Sequence, residues 1–382
     1  MKAQTKQLPK NWKVKPLSDY LDYEQPNPYI ITTPIINNKT STPVLTPNKS
    51  FIKGYTNETE GIYKNTPVII FDDFTTDNKF VNFPFKVKSS AMKILKQKKD
   101  DGDLRFVFYQ MQIKKVNHTT HKRYYLSTYQ NLDFVFPPLP IQTQIVSAIE
   151  TQFARLDKAI KSLKLVKQKI QLYRKAVLKK AFEKVNEKIN LKDIARVIDI
   201  DHKMPSKVDD GVPFISPKDF YEPNGIDFNN VKNISEEDFD RLSRKCNPEK
   251  GDLLYSRIGT IGKVRKVPDK KFLISYSLCL IKPDDKKERD YLFWVLQTPD
   301  LFHHAHKSKK SIGVPDLGLT EIRSFKIPYT KDFQIKQKIV STIESKFSVI
   351  DKVEQAVNQS LTKAEQFRKS ILKIAFEGRL VK

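Results

Sequence analysis

The stretch Ile145–Glu183 reads IVSAIETQFARLDKAIKSLKLVKQKIQLYRKAVLKKAFE, and Ile339–Glu377 reads IVSTIESKFSVIDKVEQAVNQSLTKAEQFRKSILKIAFE. The two stretches align without a gap and share identical residues along their whole length. Among the identical pairs are Ile145/Ile339, Val146/Val340, Glu150/Glu344, Phe153/Phe347, Asp157/Asp351, Arg174/Arg368, Leu178/Leu372, Ala181/Ala375 and Phe182/Phe376. An internal repeat of this kind fixes the architecture before other features are considered. It predicts two similar halves in tandem, each closed by the same long element.

Apolar residues in both stretches recur at steps of three and four, apart from one seven-residue step in each, across Lys167 in the first and across Glu354 in the second. This spacing predicts paired helices with an a/d seam. The seam residues are Ile145, Ile149, Phe153, Leu156, Ile160, Leu163, Ile170, Tyr173, Val177 and Ala181, then Ile339, Ile343, Phe347, Ile350, Val357, Leu361, Ala364, Phe367, Ile371 and Ala375. Lys167 and Glu354 interrupt the two seams at different levels, which favours one register. The alternative is that each helix packs only on its own globular half, but so narrow a seam favours helix pairing.

Charge is the main compositional signal. The 382 residues suffice for two to three domains, and 69 Lys and Arg against 44 Asp and Glu give a net charge of +25. Such an excess points to a polyanion, most often nucleic acid, although a lysine-rich soluble chain is the alternative. Cys246 and Cys279 are the only cysteines, which excludes a disulfide scaffold. Without a signal segment or a long apolar run, the sequence predicts a cytoplasmic protein with no membrane contact.

Each half also contains a globular segment. In the first, Val68–Phe71 and Leu104–Phe108 are predicted strands, Ser90–Lys98 is a predicted helix, and Asp72–Lys79 is a predicted polar loop. In the second, Gly251–Val264 predicts a strand, a glycine turn and another strand. A buried helix at Tyr291–Gln297 and a basic loop at His303–Ser311 follow.

Motifs for catalysis are weak. Neither a Walker A loop nor GxGxxG occurs. Asn27-Pro28-Tyr29 faintly resembles an amino-methyltransferase loop, but a turn is the better interpretation. Two carboxylate–lysine sets resemble those of nucleases, Asp72, Asp73 and Lys79, and Glu249, Asp252 and Lys263, but such sets arise by chance in so charged a chain. His303, His304 and His306 could bind a metal, but a solvated loop is the better interpretation because no cysteine or carboxylate stands at ligand spacing.

Basic and polar residues cluster instead in loops of both globular segments, where DNA contacts are commonly made. The predicted DNA-binding residues are Thr75, Thr76, Lys79, Lys114, Lys115, His121, Lys122, Arg123, Ser256, Arg257, Thr260, Lys263, Arg265, Lys307, Lys309, Lys310 and Ser311. The lysines are predicted phosphate contacts. Thr75, Thr76, Ser256, Arg257 and Thr260 are predicted base readers, with an ordinary surface role as the alternative for each.

Over essentially its whole length the chain resembles the specificity (S) subunit of type I restriction–modification systems. The resemblance lies in Pro137–Pro140 with the helix that follows, in the repeated helix ends Tyr173–Glu183 and Arg368–Leu380, and in Pro67–Thr76 and Gly251–Arg257. The second hinge departs from the pattern, because Ile327–Asp332 replaces the Pro-Leu-Pro run. No single motif here is catalytic.

The resemblance implies an α+β fold with a pseudo-twofold internal repeat. Two β-rich α/β target-recognition domains, at 1–139 and 189–328, would be joined by spacer helices at 140–188 and 329–382 that form an antiparallel coiled coil. About 40 residues of helix measure roughly 60 Å, which would act as a ruler between the domains.

The same resemblance implies a non-catalytic subunit that reads a split, asymmetric double-stranded DNA target. Its partners would be two methyltransferase (M) subunits and the restriction/translocase (R) subunits. S-adenosylmethionine, ATP and Mg are expected on those partners, and no cofactor or metal is expected in this chain. The alternative function is a coiled-coil scaffold that binds nucleic acid without sequence preference, and an enzyme acting alone is a third.

Overall fold

The computed structural model describes residues 8–48, 50–99, 102–114, 116, 122–200, 204–308 and 313–381. These residues form two compact units. Unit 1 comprises the N-terminal part of the chain up to Leu163 together with the chain from Gln359 onward, and unit 2 is Lys164–Asn358. Each unit therefore combines one globular body with parts of both long helices.

Unit 1 carries the first set of strands and helices. Its strands are β1 (Lys13–Pro16), β2 (Leu21–Glu24), β3 (Thr42–Leu45), β4 (Ile52–Thr56), β5 (Val68–Asp72), β6 (Asn78–Val81), β7 (Lys86–Val87), β8 (Met92–Gln97) and β9 (Asp133–Phe136). Its helices are α1 (Leu104–Met111) and the first part of α2 (Leu139–Phe182), which continues into unit 2.

Unit 2 carries the second set. Its strands are β10 (Lys188–Asn190), β11 (Ala195–Ile198), β12 (Val212–Ile215), β13 (Phe220–Tyr221), β14 (Gly225–Ile226), β15 (Lys232–Ile234), β16 (Leu253–Ser256), β17 (Val264–Lys266), β18 (Leu273–Ile274), β19 (Leu278–Pro283) and β20 (Lys326–Pro328). Its helices are α3 (Glu236–Ser243), α4 (Arg289–Val295), α5 (Pro299–Lys307), α6 (Leu319–Arg323) and the first part of α7 (Phe333–Phe376), which ends in unit 1.

The two units share one sheet topology. In unit 1 the strand orders are β2-β8-β5-β6, β4-β3-β7 and β1-β9. In unit 2 they are β11-β19-β16-β17, β15-β12-β18 and β10-β20, with the additional hairpin β13-β14. The corresponding pairs also agree in direction, because β3 with β7 and β12 with β18 are the parallel pairs. The internal repeat therefore extends from the helices to the globular bodies.

Each four-stranded sheet is covered on both faces, which explains its continuous apolar sequences. Along β5, Ile69 and Phe71 join one apolar cluster while Val68 and Ile70 join another. Along β16, Leu253 and Tyr255 likewise belong to one apolar cluster and Leu254 belongs to another. Alternate side chains of a strand point to opposite faces, so a strand buried on both faces must be apolar throughout.

The repeated phenylalanines at the helix ends anchor each long helix to a globular body. The Phe182 ring meets Tyr291 of α4 at 5.5 Å between centroids, edge to face. The Phe376 ring meets Phe106 of α1 at 5.3 Å in the same geometry. Since α1 and α4 both follow the last strand of their four-stranded sheets, the two anchors are equivalent.

The long helices pair antiparallel. In unit 2, Lys167 Nζ donates to Asn358 Oδ1 at 2.9 Å, and Arg174 Nη2 donates to Asp351 Oδ1 at 2.5 Å. The residue numbers of successive partners rise along α2 and fall along α7, so the two helices run in opposite directions. In unit 1, Arg368 pairs with Asp157 in the same register. The polar residue Glu354 accepts hydrogen bonds from Arg174 and from Gln171, at 2.8 and 3.2 Å.

The pairing creates two equivalent contacts that we call the arginine clamps. Arg174 lies over the Phe347 ring at 5.0 Å and pairs with Asp351; Arg368 lies over Phe153 at 4.5 Å and pairs with Asp157. The sequence prediction that Tyr173 and Phe367 lie in the seam is wrong. Both are more than half exposed, and the guanidinium groups of the neighbouring arginines lie over the partner rings while they also pair with the carboxylates.

Three further sequence predictions need correction. Leu104–Phe108 is the start of helix α1, because Asp103 Oδ1 caps it by accepting from Arg105 N at 2.9 Å. Ser90–Lys98 contains strand β8 instead of a helix. The predicted basic loop begins inside α5, where Leu301 and Ala305 are buried one turn apart. The division of the chain into the segments 1–139, 140–188, 189–328 and 329–382 stays a prediction.

None of the helices in the described part of the chain combines the length and apolar character needed to cross a bilayer.

Candidate nucleic-acid interface

In unit 1 a tight polar turn follows the central strand β5. The Asp72 carboxylate accepts hydrogen bonds from Phe74 N and Thr75 N at 2.8 and 2.9 Å, which closes the turn locally. Thr76 takes the left-handed region with φ of 59°, a conformation that non-glycine residues rarely adopt. The turn exposes Thr75 and partly exposes Thr76, so both predicted base readers lie at its surface.

A buried carboxylate fixes this turn to a second loop. Asp73 is only 3% exposed, and its Oδ1 accepts from Tyr125 N at 2.9 Å while its carbonyl accepts from Tyr124 N at 2.7 Å. Lys93 Nζ lies 3.7 Å from Asp73 Oδ2, and burial lowers the pKa of Lys93 despite this carboxylate. The predicted contacts Lys122 and Arg123, both exposed, precede the tethered tyrosines.

In unit 2 a glycine turn occupies the equivalent position after β16. Ser256 is buried; its Oγ accepts from Lys263 N at 2.8 Å and its carbonyl accepts from Gly262 N at 2.9 Å. Gly262 has φ of 87°, and a Cβ there would lie 2.9 Å from the Phe302 ring. Glycine is therefore required at this approach. Thr260 stands exposed at the tip.

Arg257 holds in unit 2 the position that Asp73 holds in unit 1. Asp73 N donates to the Ala91 carbonyl just before β8, and Arg257 N donates to the Ser277 carbonyl just before β19. Arg257 is 5% exposed and lies 3.5 Å from Asp316 and 3.9 Å from Asp199.

The Arg257 carbonyl also accepts from Leu317 N at 2.9 Å. Each turn is thus tied to a second loop through a buried charged residue, and the charge has opposite sign in the two units.

The remaining predicted contacts differ in accessibility. Lys79 lies half-buried on β6, and Lys307 is exposed at the end of α5. Lys114 Nζ lies 5.5 Å from the centre of the Phe134 ring, and burial lowers the pKa of Lys114. Lys263 pairs with Glu222. The predicted residues Lys115, His121, Lys309, Lys310 and Ser311 lie outside the described residues.

Among the described basic residues predicted to contact DNA, Arg265 is the least exposed, at 2%. Its guanidinium donates to three backbone carbonyls, those of Val264, Tyr221 and Gly225, at 2.8, 2.9 and 3.0 Å. Sequence reasoning missed the hairpin that these bonds hold. The signal available was Asn224-Gly225 between two aromatic-rich stretches, which is typical of a hairpin turn.

The chemistry offered by these surfaces is recognition by hydrogen bonding and charge. Among the described residues, no group of histidine, cysteine, aspartate and glutamate side chains has a geometry that would hold a metal ion. Both cysteines are buried, and burial raises the pKa of each thiol to about 12, so neither is primed as a thiolate nucleophile.

Comparisons with known proteins show which family the chain belongs to. Residues 183–363 match the family model for the type I restriction modification DNA specificity domain. The chain is 30% identical over 381 residues to the EcoR124I/EcoR124II specificity subunit of Escherichia coli, an alignment that covers 92% of this chain and 90% of that relative.

Two solved structures share the fold. One comes from work on complex assembly and conformational transition of the type I R-M system; it has a TM-score of 0.70 at 14% identity and covers 98% of this chain and 99% of the other. The HsdS subunit from Thermoanaerobacter tengcongensis has a TM-score of 0.52 at 16% identity, covering 99% and 100%. With the full-length relative and the family model, the chain belongs to the specificity subunits of type I restriction enzymes, the non-catalytic DNA-recognition components of those systems.

Proposed function

We propose that each unit reads one part of a split DNA target with the turn that follows its central strand. The observation that supports this most strongly is the shared topology, which puts Asp72–Asp77 and Ser256–Lys263 at equivalent positions. The exposed basic residues Lys122, two residues before Tyr124, and Lys307, at the end of α5, would contact phosphates. The threonines Thr75, Thr76 and Thr260 would contact base edges.

The two parts of the target differ in sequence under this proposal. Beneath the first turn lies a buried carboxylate paired with Lys93, and beneath the second a buried guanidinium. The exposed turn residues also differ. Because base readout depends on the donors and acceptors presented, two unlike surfaces select two unlike half-sites.

The paired helices would set the distance between the two half-sites. The antiparallel register is fixed by the clamps Arg174–Asp351 and Arg368–Asp157. Segments 1–139 and 189–328 would then be the recognition domains, and 140–188 and 329–382 the spacer. A helix of about 60 Å spans nearly two turns of B-DNA at roughly 34 Å a turn, which leaves an unread gap.

The reaction would take place on partner subunits in the cytoplasm. Apolar side chains lie exposed on the helices of unit 2, namely Leu165, Leu172, Tyr173, Val349 and Val353. This surface would bind the methyltransferase subunits, of which we expect two. Those subunits would use S-adenosylmethionine, and the restriction subunits ATP and Mg.

Selection of duplexes from a random pool by the full chain with its methyltransferase subunits tests this function. We expect a split, non-palindromic motif. In the variant Thr260→Val base preference should change in one half-site only, whereas Lys307→Ala should weaken binding to all duplexes alike. Steeply salt-dependent binding without any motif would support the scaffold alternative instead.

A further inference from the structure

Unit 2 carries a small hairpin for which the described residues of unit 1 show no counterpart. Strands β13 and β14 pair through Phe220 with Ile226 and Tyr221 with Gly225. Its base is fixed by Asp219, whose carboxylate accepts from both Ser216 N and Ser216 Oγ, at 2.7 and 2.8 Å. The tip, Tyr221–Asn224, is exposed.

Arg265 holds both strands of this hairpin at once. Its Nη2 donates to the Tyr221 carbonyl and its Nε to the Gly225 carbonyl, while its guanidinium lies 5.0 Å from the centre of the Phe220 ring. A buried arginine with three carbonyl partners is costly to disrupt, because the freed charge would remain desolvated. Arg265 therefore fixes the hairpin rigidly against β17.

The hairpin tip lies beside the glycine turn. Glu222 of the tip pairs with Lys263, the residue that directly follows Gly262. The Tyr221 ring lies against Gly225, where an added Cβ would come within 2.0 Å of the ring, yet Tyr221 remains 57% exposed. The tip thus presents an aromatic ring, a carboxylate and the Asn224 amide next to the surface already proposed to meet DNA.

We propose that this hairpin tip is a second base-reading element of unit 2, with Asn224 as the base reader and Arg265 as its positioning residue. An asparagine amide matches the N6 and N7 edge of adenine with two hydrogen bonds. Such a contact requires a rigidly held backbone, because a mobile side chain loses the hydrogen-bond geometry that discriminates between bases. The inference rests on the proposed function and deepens it for one half-site.

The test is duplex selection and competition binding with the full chain and its methyltransferase subunits. Asn224→Ala should lower discrimination at one base pair of one half-site by roughly five- to a hundredfold and leave the other half-site unchanged. Asn229→Ala, an exposed asparagine of the same segment, is the matched control and should keep the wild-type preference. Arg265→Met should relax the same base pair as Asn224→Ala.

Salt dependence separates positioning from phosphate binding for Arg265. A phosphate contact that is lost reduces the slope of log affinity against log salt by about 1, whereas a positioning residue leaves that slope unchanged. Unchanged base preference in both Asn224→Ala and Tyr221→Ala, in a chain whose wild type selects a split motif, would overturn the hairpin inference alone. A wild type that selects no motif would overturn it together with the proposed function.

Discussion

Among single residues, two buried charged side chains hold the exposed turns that follow β5 and β16. Asp73 joins the end of β5 to Tyr125 and Lys93 in unit 1, and Arg257 joins the equivalent strand end to Asp316 in unit 2. The sequence shows a polar loop at Asp72–Lys79 but cannot show which carboxylate turns inward, because burial depends on the loop that folds over it. The sequence therefore predicts Asp73 as part of a polar loop, whereas its buried carboxylate lies beneath that loop and holds it in place.

Removing the Asp73 charge should destabilise unit 1. In Asp73→Asn, Lys93 stays buried without its carboxylate, so we expect a loss of about 3 kcal/mol in the free energy of unfolding. Exposed Asp77→Asn should change it by less than about 0.5 kcal/mol. Denaturant titration of both variants measures the difference. The double variant Asp73→Asn with Lys93→Met should recover most of the loss, and equal instability of the single and double variants would contradict the ion-pair account.

Glu58 gives unit 1 an acid-sensitive contact. The hydrogen bond from Lys86, followed by those from Thr33, holds the pKa of Glu58 far below its ordinary value near 4.5. A carboxyl with a lowered pKa adds stability above the unfolded pKa, and this stability is lost as pH falls below about 4.5. The contact ties Thr32 and Thr33 to the sheet formed by β3, β4 and β7.

Glu58→Gln should therefore remove part of the pH dependence. At pH 7 the variant should exchange amide hydrogens in β3, β4 and β7 faster than the wild type, and the difference should shrink toward pH 3. Glu60→Gln, two residues along on the exposed surface, is the control and should behave like the wild type. A difference that persists unchanged at pH 3 would show that shape, not charge, carries the effect.

At the scale of elements, the antiparallel register explains which residues the repeat retains. Phe153, Asp157 and Arg174 in the first copy match Phe347, Asp351 and Arg368 in the second. Each clamp takes its arginine from one copy and its carboxylate and ring from the other, so identical residues meet across the pair. Periodicity predicted both helices because a seam of 3.5 residues persists over many turns.

The clamps should differ in strength. Arg174 is 12% exposed and reaches both Asp351 and Glu354, whereas Arg368 is 34% exposed and pairs with Asp157. We expect Arg174→Met to cost about 1 to 2 kcal/mol and Arg368→Met less than about 1, because exposed ion pairs are screened by water. Thermal unfolding of the two matched variants measures this. The reverse order would contradict the register contacts described above.

Short elements were harder to predict than long ones. Leu104–Phe108 has apolar residues without a clear period, and the feature that distinguishes a helix from a strand here is the N-terminal cap by Asp103. Met92–Gln97 carries three polar side chains in six residues, yet it is a central strand because Lys93 is paired internally. The strand order common to the two globular bodies could not be predicted from the sequence. Backbone hydrogen bonds define that order, and many different side chains are compatible with the same strand pairing.

For the molecule as a whole, we propose that the length of the paired helices determines which DNA is read. Inserting a heptad between Leu163 and Lys164 in α2 alone would shift one helix against the other by seven residues. Arg174 would no longer face Asp351 while Arg368 still faced Asp157. We therefore expect this variant to lose target selection while still binding DNA without sequence preference. Unchanged selection by this variant would count against the ruler.

The most direct measurement is duplex selection by a chain with matched heptads, one between Leu163 and Lys164 and one between Leu361 and Thr362. These sites lie between the same register contacts, so both clamps are restored. Seven residues add roughly 10 Å of helix, or about 3 base pairs at 3.4 Å each. We expect both half-sites to be unchanged and the gap to be longer by about 3 base pairs. Recovery of the wild-type motif with its original gap would contradict this proposal.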